Sequence, residues 1–120
     1  MPYQLTKGEK KLAREIIEKG VQSEFKATLE AAKKVVEEWG SGKIDNRDGY
    51  HKLYKTVIEQ NKLIAKRYDG VRGSDYLMTV AVILFDKQIT EEEISDFSDE
   101  AKQDILSWIR LWKQLVKEGI

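Results

Sequence analysis

The chain has no cysteine among its 120 residues. It can build neither a disulfide framework, nor a thiolate nucleophile, nor a cysteine-based zinc site, and the absence leans toward a cytoplasmic setting. Proline occurs once, at Pro2, so almost nothing bars helix along the rest of the chain. Histidine also occurs once, at His51. That excludes the paired Glu-x-x-His motifs of di-iron bundles and leaves a Ser-His-Asp relay only one residue to use. His51 lies beside lysines at the edge of an apolar face and reads as a surface side chain. The formal net charge is zero, which argues against a general nucleic-acid binder. No apolar run approaches the ~18 residues that cross a bilayer. The opening Met-Pro-Tyr-Gln-Leu-Thr-Lys lacks the charged-then-apolar pattern of a signal peptide. The expectation is a soluble, cytoplasmic single domain spanning 1–120 with no membrane partner.

What the chain does have is one stretch without charge, Tyr76-Leu77-Met78-Thr79-Val80-Ala81-Val82-Ile83-Leu84-Phe85. A segment apolar on every side is expected at the centre of a core. Its β-branched residues suit a strand as well as a helix, but no second segment reads as a partner strand. Gly73-Ser74-Asp75 supplies a turn followed by an N-cap aspartate. The spacing therefore predicts a buried central helix at about 75–87, and a charge at Val82 is expected to unfold the protein.

The remaining segments read as amphipathic helices. Thr6 and Glu9 have capping-box spacing, and Leu12, Ala13, Ile16 and Ile17 follow as one stripe. A second stripe, Val21, Phe25, Leu29, Ala32, Val36 and Trp39, is rotated from the first by more than a quarter-turn. A break near Gly20 would reconcile the two. A third helix is expected from Asp45, Asn46 or Asp48 to about Tyr68. Tyr50, Leu53, Tyr54, Val57, Ile64, Ala65 and Tyr68 form its inward face, and Asn61 is the one polar residue on that face. Gly70 suits a left-handed C-cap. Thr90 and Glu93 repeat the capping-box spacing, and Ser98 or Asp99 opens a last helix reaching about Lys117. The fold class implied is all-α, a compact bundle or orthogonal array of four to five main helices.

Chemistry is scarce. Glu15 with Glu18, and Glu93 with Asp96, have the spacing of metal-binding helix carboxylates, but 75 residues separate the pairs and no histidine supports them. The Asp45–Gly49 stretch resembles a calcium loop only briefly, since Ile44 and Lys55 occupy its first and twelfth ligand positions. No catalytic residue, metal ligand or cofactor site is expected. Arg72, Gly73 and Ser74 precede a helix N-terminus and form a weak anion-binding candidate. Lys52, Lys55, Lys62 and Lys66 share an outer helix face that could follow a nucleic-acid backbone, although Glu59 sits among them. Charge is also segregated. Between Lys43 and Arg72 there are eight basic residues and four acidic, whereas between Asp86 and Asp104 there are two basic and eight acidic.

The last helix gives the most usable signal. Its apolar arc is wide, and Trp108 and Trp112 lie one turn apart, with Leu111 and Leu115 nearby. Tryptophan is enriched among interface anchors. The leading expectation is a non-catalytic helical domain acting in protein–protein interaction or regulation, through a protein partner or self-association at Trp108, Leu111, Trp112 and Leu115. The alternatives are a nucleic-acid-binding module on the lysine face, and a metal-dependent enzyme working from helix carboxylates.

Overall fold

A computed structural model describes residues 4–119, leaving Pro2 outside. Four α-helices and two short 3₁₀ turns account for nearly all of it: α1 Lys7–Gly40, α2 Asn46–Tyr68, α3 Tyr76–Phe85 and α4 Asp99–Lys117, with the 3₁₀ turns at Gly73–Asp75 and Glu91–Ile94. No strand occurs among the described residues. The protein is all-α, as the scarcity of proline and the 3.6-residue stripes imply.

The expected break at Gly20 is absent, and α1 runs unbroken for 34 residues. The two rotated stripes are reconciled differently. The chain divides into two compact units, Met1–Gly20 with Gly70–Ile120, and Val21–Asp69. Each half of α1 thus packs within its own unit and needs no common face. A glycine in mid-helix costs only about 1 kcal/mol relative to alanine, which the flanking turns absorb.

The first unit holds a conventional core. α3 packs chiefly against α4. Val80, Ala81, Ile83, Ala101 and Ile105 are fully buried, and Ala13, Ile16, Ile94 and Phe97 close around them. The expectation of a buried central helix holds for half of its residues: Leu77, Thr79, Val80, Ala81 and Ile83 are buried. Val82 is only half-buried and Met78 is exposed, so Val82 is not the position at which a charge would be most damaging. Asp75 does not cap α3 with its side chain. It accepts instead from the Arg72 N–H at 3.2 Å, tightening the preceding 3₁₀ turn. The Thr79 hydroxyl donates to the Asp75 carbonyl at 2.9 Å, which satisfies the one polar side chain of the stretch.

Both capping boxes form. The Thr6 N–H donates to Glu9 Oε1 and the Glu9 N–H to Thr6 Oγ1, each at 3.1 Å. Thr90 and Glu93 make the same reciprocal pair around the second 3₁₀ turn. Ser98 caps α4 by accepting from the Ala101 N–H. Glu9 is 7% exposed, and its second oxygen accepts from the Ser98 N–H at 3.1 Å. One carboxylate therefore joins the start of α1 to the start of α4.

The second unit is an antiparallel helical hairpin made of residues 21–40 of α1 and α2. Asp45 caps α2 by accepting from the Asp48 N–H at 2.8 Å. Gly70, just beyond the Asp69 C-cap, takes the expected left-handed conformation at φ +76°. Arg67 donates to Glu24 at 2.7 Å and Lys52 to Glu38 at 2.8 Å. These two ion pairs at opposite ends set the register of the two helices.

Candidate interaction surface

The hairpin register decides which stripe of each helix faces its neighbour. With Glu24 against Arg67 and Glu38 against Lys52, the 3.6-residue period turns Thr28, Ala31 and Val35 of α1 toward α2. Gly49, Leu53, Thr56, Gln60 and Ile64 of α2 face them. Of these, only Val35, Gly49 and Ile64 are buried. Gly49 has a packing reason: a Cβ there would lie 3.3 Å from Trp39 Cβ. The absence of a side chain lets the indole lie close over the first turn of α2, where Trp39 Nε1–H donates to Asn46 Oδ1 at 2.6 Å.

The stripes read from the sequence as inward lie one residue further round. In α1 they carry Phe25, Leu29, Val36 and Trp39, and in α2 Tyr50, Tyr54 and Val57; all seven are exposed. A step of one residue rotates each helix by about 100°. In an antiparallel pair those rotations turn both stripes to the same side. The result is one continuous apolar face, two helices wide. At one end it deepens into a cavity of about 330 Å³ between Val36, Trp39, Asn46, Gly49, Tyr50 and Leu53. Tyr50 and Tyr54 stack along it with ring centroids 6.5 Å apart. Asn61, expected in the core of its helix, is exposed on this face. The expected inward face of α2 is thus corrected, with Ile64 its one buried member.

The residues singled out on α4 are more committed to their own unit. Trp108 and Trp112 stack at 5.9 Å, and Trp112 meets the edge of Phe85 at 5.6 Å. Both indoles are half-buried, as is Leu115, while Leu111 and the neighbouring Val116 are exposed. Ala101, Ile105 and Ile109 form the buried line of this helix. Its wide apolar arc is mostly a packing face with an exposed shoulder.

Arg72, Gly73 and Ser74 are exposed at the 3₁₀ turn before α3. Gly73 and Ser74 border a cavity of about 690 Å³ shared with Lys10, Asp75, Asp104 and Trp108. Two carboxylates against one ammonium make that lining a poor match for an anion, and Arg72 does not contribute to it. Lys52, Lys55, Lys62 and Lys66 are all exposed on α2. Two of them are engaged by carboxylates, Lys52 by Glu38 and Lys55 by Glu59. The Lys52 ammonium, hydrogen-bonded to Glu38, holds that carboxyl below the usual glutamate range. Lys19 of α1 does the same for Glu93. The segregated charges of the sequence are therefore met in part by local pairing within each unit. Among the described residues no three His, Asp or Glu side chains gather closely enough to hold a metal. No helix among them is long and apolar enough to cross a membrane.

What the fold and this surface define is a helical protein with an open apolar face. No protein family, curated protein or solved structure matches the chain.

Proposed function

We propose that the chain is a non-catalytic interaction module that docks a helical protein partner on the apolar face of the 21–69 hairpin. The observation that carries this reading is the size of the face. Phe25, Trp39, Tyr50 and Tyr54 are 44–66% exposed. Aromatic side chains bury ~150–250 Å² each when covered, so these four leave roughly 400 Å² open. Leu29, Val36 and Val57 add on the order of 100 Å² each. The sum, about 700 Å², exceeds the few hundred Å² of contiguous apolar surface that soluble monomers usually tolerate. It approaches the ~800 Å² that each partner contributes to a standard protein interface.

A helical partner suits the spacing. Phe25, Leu29, Ala32, Val36 and Trp39 follow the alternating four- and three-residue steps of a heptad seam, as do Tyr50, Tyr54, Val57 and Asn61. Such seams accept knobs from another helix. Trp39, pinned by Asn46 beside the cavity, is placed as a rigid aromatic anchor.

A photo-crosslinking residue at Tyr54 tests the proposal. Incubated with host extract, the purified full chain should yield protein adducts at Tyr54 and none at outward-facing Lys66. Absence of adducts at Tyr54, in both pure protein and extract, would overturn it.

A further inference from the structure

We infer that the partner covering the hairpin face is a second copy of this chain, and that two hairpins close into a symmetric four-helix bundle with their turns at the same end. This deepens the proposed function and rests on it. Three observations carry it.

The first is extent. The face spans two helices, and its seven exposed large side chains run from Phe25 to Trp39 on α1 and from Tyr50 to Val57 on α2. A single partner helix would fill the groove and leave both outer edges wet. An occupant that is itself two antiparallel helices of the same length covers the whole face. With roughly 700 Å² of apolar surface on each side, the contact reaches the size of a specific dimer.

The second is self-complementarity. The intramolecular ion pairs place Leu29 level with Asn61, Val36 with Tyr54 and Trp39 with Tyr50. A two-fold axis parallel to the helices copies that register across the interface, so α1 of one copy lies antiparallel to α2 of the other. Each layer then contains the same pair of side chains twice, large beside large at the turn end and Ala32 beside Val57 in the middle. An isologous contact of this kind closes on itself and forms a dimer rather than a filament.

The third is Asn61. It is a lone amide in an otherwise apolar seam and exposed in the single chain. In the bundle the two α2 helices are parallel and diagonal, which brings both Asn61 amides to one level near the axis. A polar residue at a single seam position is the device by which helical assemblies select register and number of strands.

Sedimentation of the full chain from about 1 to 200 μM is the test, with Leu29→Glu as the interface variant and Asn61→Leu as the register variant. Wild type should sediment as a dimer of the 13.9 kDa chain. Leu29→Glu should retain its helical circular dichroism and dissociate at least 100-fold more readily. Asn61→Leu should associate at least as tightly but populate species beyond the dimer. Spin labels at an introduced Lys43→Cys, in a chain with no other cysteine, report the arrangement. Turns at one end give a short distance, whereas turns at opposite ends would be separated by ~35 Å, the length of a 23-residue helix. That long distance would overturn the bundle as drawn. A wild-type monomer at 200 μM would overturn the second copy as partner, while adducts from Tyr54 to a foreign protein would leave the docking function standing. Should Leu29→Glu unfold, Tyr54→Lys at the rim reads the same dissociation, and an undiminished dimer there also refutes the inference.

Discussion

Replacing Glu9 by alanine should destabilise the protein by about 3 kcal/mol. Glu9 accepts from the Thr6 N–H and from the Ser98 N–H, each at 3.1 Å, and is 7% exposed. A net hydrogen bond to a charged group is worth ~1.5–3 kcal/mol. Thr6 is exposed, so water can take over its N–H, and that bond falls at or below the low end, near ~1 kcal/mol. Ser98 is half-buried and caps α4, so its N–H loses a partner that solvent replaces poorly, at about 2 kcal/mol. Glu9→Gln keeps an acceptor for one N–H while turning an amide donor toward the other, and should cost about half to two-thirds as much. Thr6→Val removes only the reciprocal acceptor of the Glu9 N–H and should cost about 1 kcal/mol, the usual value of a cap. Urea unfolding followed at 222 nm measures all three, and in a thermal melt at the same wavelength Glu9→Ala should lower the midpoint by roughly 12 °C at ~4 °C per kcal/mol. A Glu9→Ala value within about 0.5 kcal/mol of wild type would refute the idea that this carboxylate ties α1 to α4.

Lys87 ends α3 in the left-handed region, at φ 61°, with the Lys87 N–H bonded to the Leu84 carbonyl and the Gln88 N–H to that of Ile83. This is a Schellman cap with a non-glycine residue at its left-handed position, so Lys87→Gly should stabilise the protein by about 0.5–1 kcal/mol in the same urea assay; a loss of stability would show that the lysine side chain contributes more than its backbone costs. Ile83→Ala should cost ~2–5 kcal/mol, whereas Val82→Ala, at a half-buried site, should cost about 1; equal values would mean the buried side of α3 is misassigned. The Glu93 carboxyl is lowered first by its hydrogen bond from Lys19, against an opposing desolvation, with help from the Thr90 N–H. A depressed carboxyl contributes stability that is present above its unfolded pKa and is lost as pH falls through the folded value. In an NMR titration Lys19→Met should therefore raise the Glu93 midpoint toward the ordinary glutamate value, and an unmoved midpoint would assign the depression elsewhere.

Most self-contained local signals in the sequence correspond to what forms, the exception being the N-cap expected of Asp75, whose carboxylate accepts from the Arg72 N–H instead of capping α3. The boxes at Thr6/Glu9 and Thr90/Glu93, the caps at Asp45 and Ser98, and the left-handed Gly70 each depend on residues no more than four apart, and all form as expected. The long-range use of the same groups was not legible. Nothing in the spacing of Glu9 announces that its second oxygen reaches Ser98, 89 positions away. Gly20 misled because a rotated stripe implies a break only if both halves pack in one layer. In α2 the stripe itself was real, but periodicity reports an apolar face without saying what covers it. Tyr50, Tyr54 and Val57 are that face, and within the chain they are left open. The signal that could have separated packing from docking was Gly49, whose missing side chain marks the line along which Trp39 approaches.

The two units differ in how completely they satisfy their own hydrophobic residues, and that difference is the strongest physical case for a partner. In the first unit, the side chains on which a helical core depends, Val80, Ile83 and Ile105, are fully buried, and among the described residues the exposed large apolar ones are Met78, Leu111 and Val116. In the second, the only large side chains that become buried are Val35 and Ile64, while aromatic rings that could supply most of a core face outward. A hairpin of two helices has no third layer to close such a core, and helices draw most of their stability from packing an apolar face rather than from propensity. Any ligand that binds only the folded hairpin adds to its stability in proportion to the logarithm of its concentration over Kd. A partner helix pair that buries Phe25, Leu29, Tyr50 and Tyr54 would therefore complete the hairpin core as well as occupy a surface on it.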